Sequence, residues 1–291
     1  MTICLNDQKR LAPDRQYLSK TVEFLASYSV FVSMESMLIL FTASILIDKE
    51  FAPALFISAF LLTFVIYNLD RLSGSREDEI NNPSQLKHYR GKEKLWLAIL
   101  GLLLILCFLL LITVNVFLIL VFIATLVVSM LYGRGFSFIP RLKTIPIVKN
   151  LIIASTWSFI PTVISYYYVT DNYLLLFVFS FIFIKAMINP TLFDLRDVEG
   201  DRTAGVKTLP VLLGVNATYH LLLALDGLVF PWIVVAWLLG YFHPYVLALT
   251  FSAIYGVGYT VYLHKKKMRI LFDLLVDGEW IPLTLVLALV T

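Results

Sequence analysis

Asp194, Asp197 and Asp201 stand three and four residues apart in FDLRDVEGDRTAGVKTLP, residues 193–210. On a helix that spacing puts the three carboxylates on one face, about one turn apart. Like charges so placed repel one another unless cations neutralise them. Mg2+ is a natural candidate, because it takes carboxylate oxygens, keeps several waters and is completed by phosphate. Arg196, Arg202 and Lys207 lie close by and offer another solution, a solvated loop of mutually neutralising salt bridges. Spacing alone leaves both open.

A second acidic segment, YNLDRLSGSREDEINNP at 67–83, carries Asn68, Asp70, Glu77, Asp78 and Glu79. Each segment follows an apolar stretch, so the pair has the look of a weak internal repeat, and parallel repeats commonly place a site at their interface. Asn68 and Asp70, two residues apart, face away from each other on a continuous helix. They converge only if the helix ends near Asn68, which Ser73-Gly74-Ser75 favours, with a loop bringing Asp78 back. Without metal, this segment is an acidic hydrophilic linker. Arg71 sits beside Asp70, and YGRGFSFIPRLKTIPIVKN at 132–150 adds Arg134, Arg141, Lys143 and Lys149. Arg134 and Arg141 suit membrane-interface anchors. Lys143 and Lys149 can meet phosphate oxygens as point charges, and Lys149 falls inside an apolar stretch, where charge is costly and usually functional.

The elements that must position these groups are apolar throughout. The 291 residues are 59% hydrophobic and 15% charged, with a mean hydropathy of +0.85. A soluble domain carries about a quarter charged residues, so this is membrane composition. Nine stretches match the roughly 20 residues that cross a hydrocarbon core: 24–47, 51–69, 95–113, 115–132, 146–169, 172–192, 212–239, 244–263 and 270–290. They lack the strict alternation of barrel strands. The expectation is an all-α polytopic membrane protein, with a polar arm over 1–22 and a nine-helix domain over 23–291. With nine crossings, every lysine and arginine except Lys49 and Lys185 falls on one side. The positive-inside rule makes that side, with the N-terminus and the acidic loops, cytoplasmic and puts the C-terminus opposite.

Charges inside the apolar stretches are site candidates by default: Glu35, Lys185, Asp226, and the pair Asp273 and Asp277 with Glu279 nearby. Glu35 and Lys185 could equally pair with each other. The four histidines have no HExxH or paired spacing, which argues against zinc, and no Walker loop supports ATP-driven transport. Gly256-Val257-Gly258 suits helix packing. Cys4 and Cys107 suggest no disulfide framework, and a net charge of +3 gives no reason to expect nucleic acid.

The second acidic segment, followed by Thr208-Leu209-Pro210 and Gly214, matches a DxxDxxxD…TLP…G pattern. With the nine stretches and the asparagine-containing first segment, the chain resembles the UbiA superfamily of intramembrane prenyltransferases over nearly its whole length. The resemblance implies helices around a central cavity under a cytoplasmic cap of loops. It also implies two acidic motifs facing each other and holding Mg2+ on the diphosphate of an isoprenyl donor. Asp194, Asp197 and Asp201 would then be metal-associated and catalytic, with Asn68, Asp70 and Asp78 as the first motif's contribution. Arg71, Lys143 and Lys149 would bind the diphosphate. The first motif departs from the family's NDxxDxxxD, since Leu72 and Arg76 stand where its later acids fall. The implied reaction moves a prenyl group to a hydrophobic, most often aromatic, acceptor within the lipid bilayer, the cell membrane being the expected one. A terpene cyclase that uses the donor without acceptor is the first alternative, and a transporter or inactive relative the second.

Overall fold

Eleven α-helices and two short 3-10 turns, with no strand, make up the described residues of this computed structural model, 28–73, 89–133, 141–265 and 269–290. They are α1 (Val30–Leu46), α2 (Pro53–Ser73), α3 (Glu93–Ile112), α4 (Val116–Gly133), α5 (Val148–Tyr166) and α6 (Asn172–Ala204). Then follow α7 (Leu209–Leu213), α8 (Val215–Leu238), α9 (Val246–Lys265), α10 (Arg269–Leu275) and α11 (Trp280–Ala288). Backbone polar groups in lipid must be satisfied within the segment, which is why runs this apolar become helices. The protein is a multi-pass integral membrane protein.

Each of the nine apolar stretches is helical among the described residues, but they are not nine equivalent crossings. Six helices (α2, α3, α4, α6, α8, and α9 with its preceding turn) are long and apolar enough to span. The helix α1 has 17 described residues. The last stretch, expected as one span over 270–290, is broken into α10 and α11. Gly278 sits in that break, where a Cβ would collide with the carbonyl oxygen of Leu274. The arm at 1–22 and most of the expected loop cap, including Asp78, lie outside the described residues.

The second difference concerns α6. The stretch 193–204, expected as a loop beyond a span ending at 192, continues the helix without interruption. Its 33 residues make a rod of roughly 50 Å, well beyond the roughly 30 Å hydrocarbon thickness. It starts at Asp171, whose carboxylate caps the N–H groups of Tyr173 and Leu174 at 2.9 and 3.1 Å. Those bonds, Leu174's first, hold the Asp171 carboxyl below the usual range. It stops at Gly205, whose φ of 76° is a left-handed conformation that glycine adopts without strain, and Val206 N–H closes the end on Asp201 O at 2.8 Å.

The core gathers Leu40, Leu55, Phe122, Phe181, Ile182 and Trp280, all 2% exposed or less. Small polar side chains join neighbouring helices, as is common in membranes. Ser36 donates to Ala59 O from α1 to α2 at 3.0 Å, and Asn150 donates to Thr191 from α5 to α6 at 2.8 Å. By contrast, Leu102, Ile105 and Leu109 of α3 are more than half exposed, as suits a lipid-facing helix.

Candidate active site

The helices α1, α2, α5, α6 and α10 enclose a cavity of about 300 Å3. Asp194, Asp197 and Asp201 all line it from α6, as their spacing requires on one helix face. Asp70 and Arg71 line it from the end of α2, Lys143 from the 3-10 turn at 142–144, and Lys149 from the first turn of α5. The two acidic segments therefore meet across one cavity, with three of the expected cations beside them.

Asp70, Asp194 and Asp197 each have a cation within 4.0 Å. Lys149 Nζ donates to Asp194 Oδ1, while Asn150, reaching from α5, lies 3.4 Å from the other oxygen. Arg196 forks onto Asp197 at 2.8 and 2.7 Å, and also reaches Asp273 of α10 at 3.4 Å. Lys143 is 3.6 Å from Asp70 Oδ2. Arg202 pairs loosely with Glu199 at 3.9 Å on the exposed side of α6. Of the local cations expected to neutralise the aspartates, Arg196 serves Asp197, while Asp194 is held by a lysine from another helix. Asp194 and Asp201 are buried, and Asp70 is partly exposed.

Asn68 is not brought to the cavity. The helix α2 runs on to Ser73 instead of ending near Asn68, so Asn68 and Asp70 keep their opposite faces. Fully buried, Asn68 donates to Phe64 O at 2.7 Å and Tyr28 O at 3.2 Å, and accepts from the Tyr89 hydroxyl at 2.5 Å. Tyr89 also bonds Arg71, so among the described residues Asn68 is linked to the cavity through Tyr89 and Arg71.

Two oxygens of cavity-lining residues call for a ligand. Among the described residues Asp70 Oδ1 is buried without a hydrogen-bond partner, and it lies against Gly133 so closely that a Cβ there would stand 2.5 Å away. Ser29 Oγ, in a residue only 1% exposed that also lines the cavity, is unpartnered too. Among the described residues no three His, Cys, Asp or Glu side chains already converge as a metal cage. Mg2+ is usually bound by one or two carboxylates together with phosphate oxygens and water. The carboxylate donors present fit such an ion.

Away from the acidic face, the cavity is lined by Glu35, Tyr67, Trp157, Asn189 and Asp277. An apolar cleft of about 220 Å3 shares Tyr67, Asp70 and Trp157 with it, and a smaller one of about 80 Å3 continues towards Leu40 and Phe122. Sequence reasoning singled out Glu35 and Asp277 by depth but missed Asn189, Asn150, Arg196 as a cavity group, and Gly133. Asn189, Phe193 and Asp197 do form an i, i+4, i+8 stripe, a signal that was present. Gly133 carried none, because its partner comes from another helix.

The expected alternative pairing of Glu35 with Lys185 is overturned. Lys185 lies 2.9 Å from Glu279 and 4.0 Å from Asp226, deep among α6, α8, α9 and the turn before α11. Glu35 instead accepts from Trp280 Nε1 at 3.1 Å and Asn189 at 3.3 Å. Single-sequence reasoning gives the depth of a side chain in the bilayer and not the direction in which it points. Gly256 is packed as expected, but against charge: a Cβ there would collide with the Asp226 carboxylate and come within 2.9 Å of Lys185 Nζ.

The family profile of the UbiA prenyltransferase family matches residues 36–269. Among solved structures, a UbiA homologue from Aeropyrum pernix K1 is similar with a TM-score of 0.65 at 13% identity, over 88% of this chain and 98% of that one. A UbiA homologue from Archaeoglobus fulgidus bound to DMAPP and Mg2+ has a TM-score of 0.63 at 12% identity, over 92% of this chain and 99% of that one. A structure described for digeranylgeranylglyceryl phosphate synthase in membranes has a TM-score of 0.57 at 18% identity, over 92% of this chain and 97% of that one. At these identities the likeness speaks for the fold. No curated protein gives a significant sequence match.

Proposed function

The chain belongs to the UbiA prenyltransferase family, and on that premise we propose that it moves an isoprenyl group from a prenyl diphosphate to a hydrophobic acceptor inside the membrane, with Mg2+. The observation that carries this reading is the convergence of Asp70 with Asp194, Asp197 and Asp201, and of Arg71, Lys143 and Lys149, on one cavity. Four acids and three cations facing each other suit a ligand that brings both metal and phosphate. The A. fulgidus homologue bound to DMAPP and Mg2+, and a second structure of it bound to GPP and Mg2+, support the same donor class.

Asp70, Asp194, Asp197 and Asp201 would hold Mg2+, with Asp78 as the expected addition from the first motif. The ion would supply Lewis-acid stabilisation of a leaving diphosphate. The chain's own part is then as follows. Lys143 and Lys149 leave Asp70 and Asp194 to meet phosphate oxygens, adding fixed positive charge where negative charge grows as the C–O bond breaks. Asn150 keeps Asp194 oriented while its lysine turns away. Tyr67 and Trp157, at the mouth of the apolar clefts, face the allylic carbon, and the clefts take its isoprenoid tail. Their apolar walls exclude water, which would otherwise capture the cation. The N-terminus and the acidic ends of α2 and α6 face the cytoplasm in this reading, as the distribution of lysine and arginine indicates.

Purified protein in lipid, given GPP and Mg2+ with and without a phenolic acceptor, separates the alternatives. Release of diphosphate with a prenylated acceptor is expected. Release with only a hydrocarbon or prenyl alcohol would mean cyclisation or hydrolysis, and no release would refute the enzymatic reading.

A further inference from the structure

Glu35 of α1 and Asp277 of the turn before α11 line the cavity and share one donor. Asn189 Nδ2 lies 3.3 Å from Glu35 Oε1 and 3.2 Å from Asp277 Oδ1. Glu35 is 5% exposed and also holds Trp280 Nε1. The other charges around the pair are already matched. Asp273 is paired with Arg196, and Glu279 with Lys185. Arg196 and Arg71 act on Asp277 only through space, and Tyr67 of α2 lines the same cavity. Among the described residues neither Glu35 nor Asp277 makes an ion pair. Besides the group around Lys143 and Lys149, the cavity therefore carries two acids bridged by an amide. Ser29, 1% exposed, lines the same cavity with a hydroxyl that has no hydrogen-bond partner among the described residues, which marks the cavity as built for a polar ligand.

Resting on the transferase reading above, we infer that Glu35 and Asp277 form the acceptor end of the cavity, where they bind a neutral or cationic hydrogen-bond donor, such as a phenol without a carboxylate, and take up its proton. The balance is simple. The C–O bond of the donor breaks and the diphosphate leaves with the electron pair. A new bond forms between the allylic carbon and the acceptor, and one proton leaves the acceptor's ring carbon or hydroxyl for a carboxylate oxygen of the pair. An acceptor carrying its own carboxylate would set a negative charge beside two acids that make no ion pair among the described residues, in a medium where like charges are far more costly than in water.

Three para-substituted phenols of similar size provide the test: 4-methylphenol, tyramine and 4-hydroxybenzoate, each with GPP and Mg2+ and the wild-type protein in lipid. Transfer to the neutral and cationic phenols is expected to exceed transfer to 4-hydroxybenzoate by at least about tenfold. Glu35→Gln and Asp277→Asn should each lower the prenylated phenol formed per diphosphate released by about a hundredfold, the usual scale for loss of a general base. They should also reduce the bias against 4-hydroxybenzoate, which a merely structural pair would not do. Preference for 4-hydroxybenzoate would overturn the inference, as would an unchanged product ratio in both variants or diphosphate release with none of the phenols modified. The wild-type comparison stands even if a variant fails to fold. Absence of any diphosphate release from the wild type would instead refute the transferase reading itself.

Discussion

Gly133→Ala tests whether the position of the Asp70 carboxylate matters. A Cβ at residue 133 would lie 2.5 Å from Asp70 Oδ1, whereas ordinary contact begins near 3.4 Å. The carboxylate must recede by about 1 Å, and because among the described residues Oδ1 has no hydrogen bond to lose, it can do so by side-chain rotation. The gain in helix propensity, about 0.8–1 kcal/mol for Gly→Ala, works against the cost of that rotation, so stability should hardly change. Catalysis should suffer, since a misplacement of about 1 Å can cost on the order of a hundredfold, or about 2.7 kcal/mol of barrier. The assay is the rate of Mg2+-dependent diphosphate release from GPP, beside a thermal denaturation curve in the same detergent. Release at the wild-type rate would refute the reasoning, because the added methyl group cannot coexist with Asp70 where it now lies.

Other perturbations separate the site from its scaffold. Lys185→Met leaves Glu279 and Asp226 buried without their cation, and such losses cost about 3–5 kcal/mol; Lys185→Met with Glu279→Gln should recover part of the lost thermal stability. Asn68→Ala should weaken release less than Asp194→Asn does, because among the described residues Asn68 is linked to the cavity through Tyr89 and Arg71; equal losses in the same assay would count against that placement. Chelation with EDTA should abolish release and added Mg2+ should restore it. The Asp171 carboxyl is held below its unfolded value, so its contribution to stability is present above about pH 4 and disappears as pH falls through the lowered folded value. Asp171→Asn should therefore flatten the acid end of a stability–pH curve.

The apolar stretches were legible because a helix in lipid needs little beyond length and hydrophobicity, and apart from α6, which runs on to Ala204, and the last stretch, which breaks into α10 and α11, most of their described ends agree with the helices within a few residues. The acidic segment at 193–204 was legible as chemistry but not as structure. Its charge suggested a loop, whereas its carboxylates face a cavity shared with α2 and α5, which lets α6 continue to Gly205. Gly205 itself was a stop signal in the sequence. The Ser73-Gly74-Ser75 run pulled the expected end of α2 too early, and so suggested a convergence of Asn68 with Asp70 that a continuous helix forbids. The partners of Glu35, Lys185 and Gly133 could not be read, because each is set by how helices far apart in sequence rotate against one another.

If acids from two helices hold the metal jointly with diphosphate, the metal should bind tightly only when diphosphate is present. Mn2+ in place of Mg2+, followed by electron paramagnetic resonance with an unreactive prenyl thiolodiphosphate, tests it directly. The account predicts tight Mn2+ binding that requires the diphosphate, couples to its phosphorus, and is lost in both Asp70→Asn and Asp197→Asn. Tight binding without diphosphate, or binding indifferent to Asp70→Asn, would contradict it.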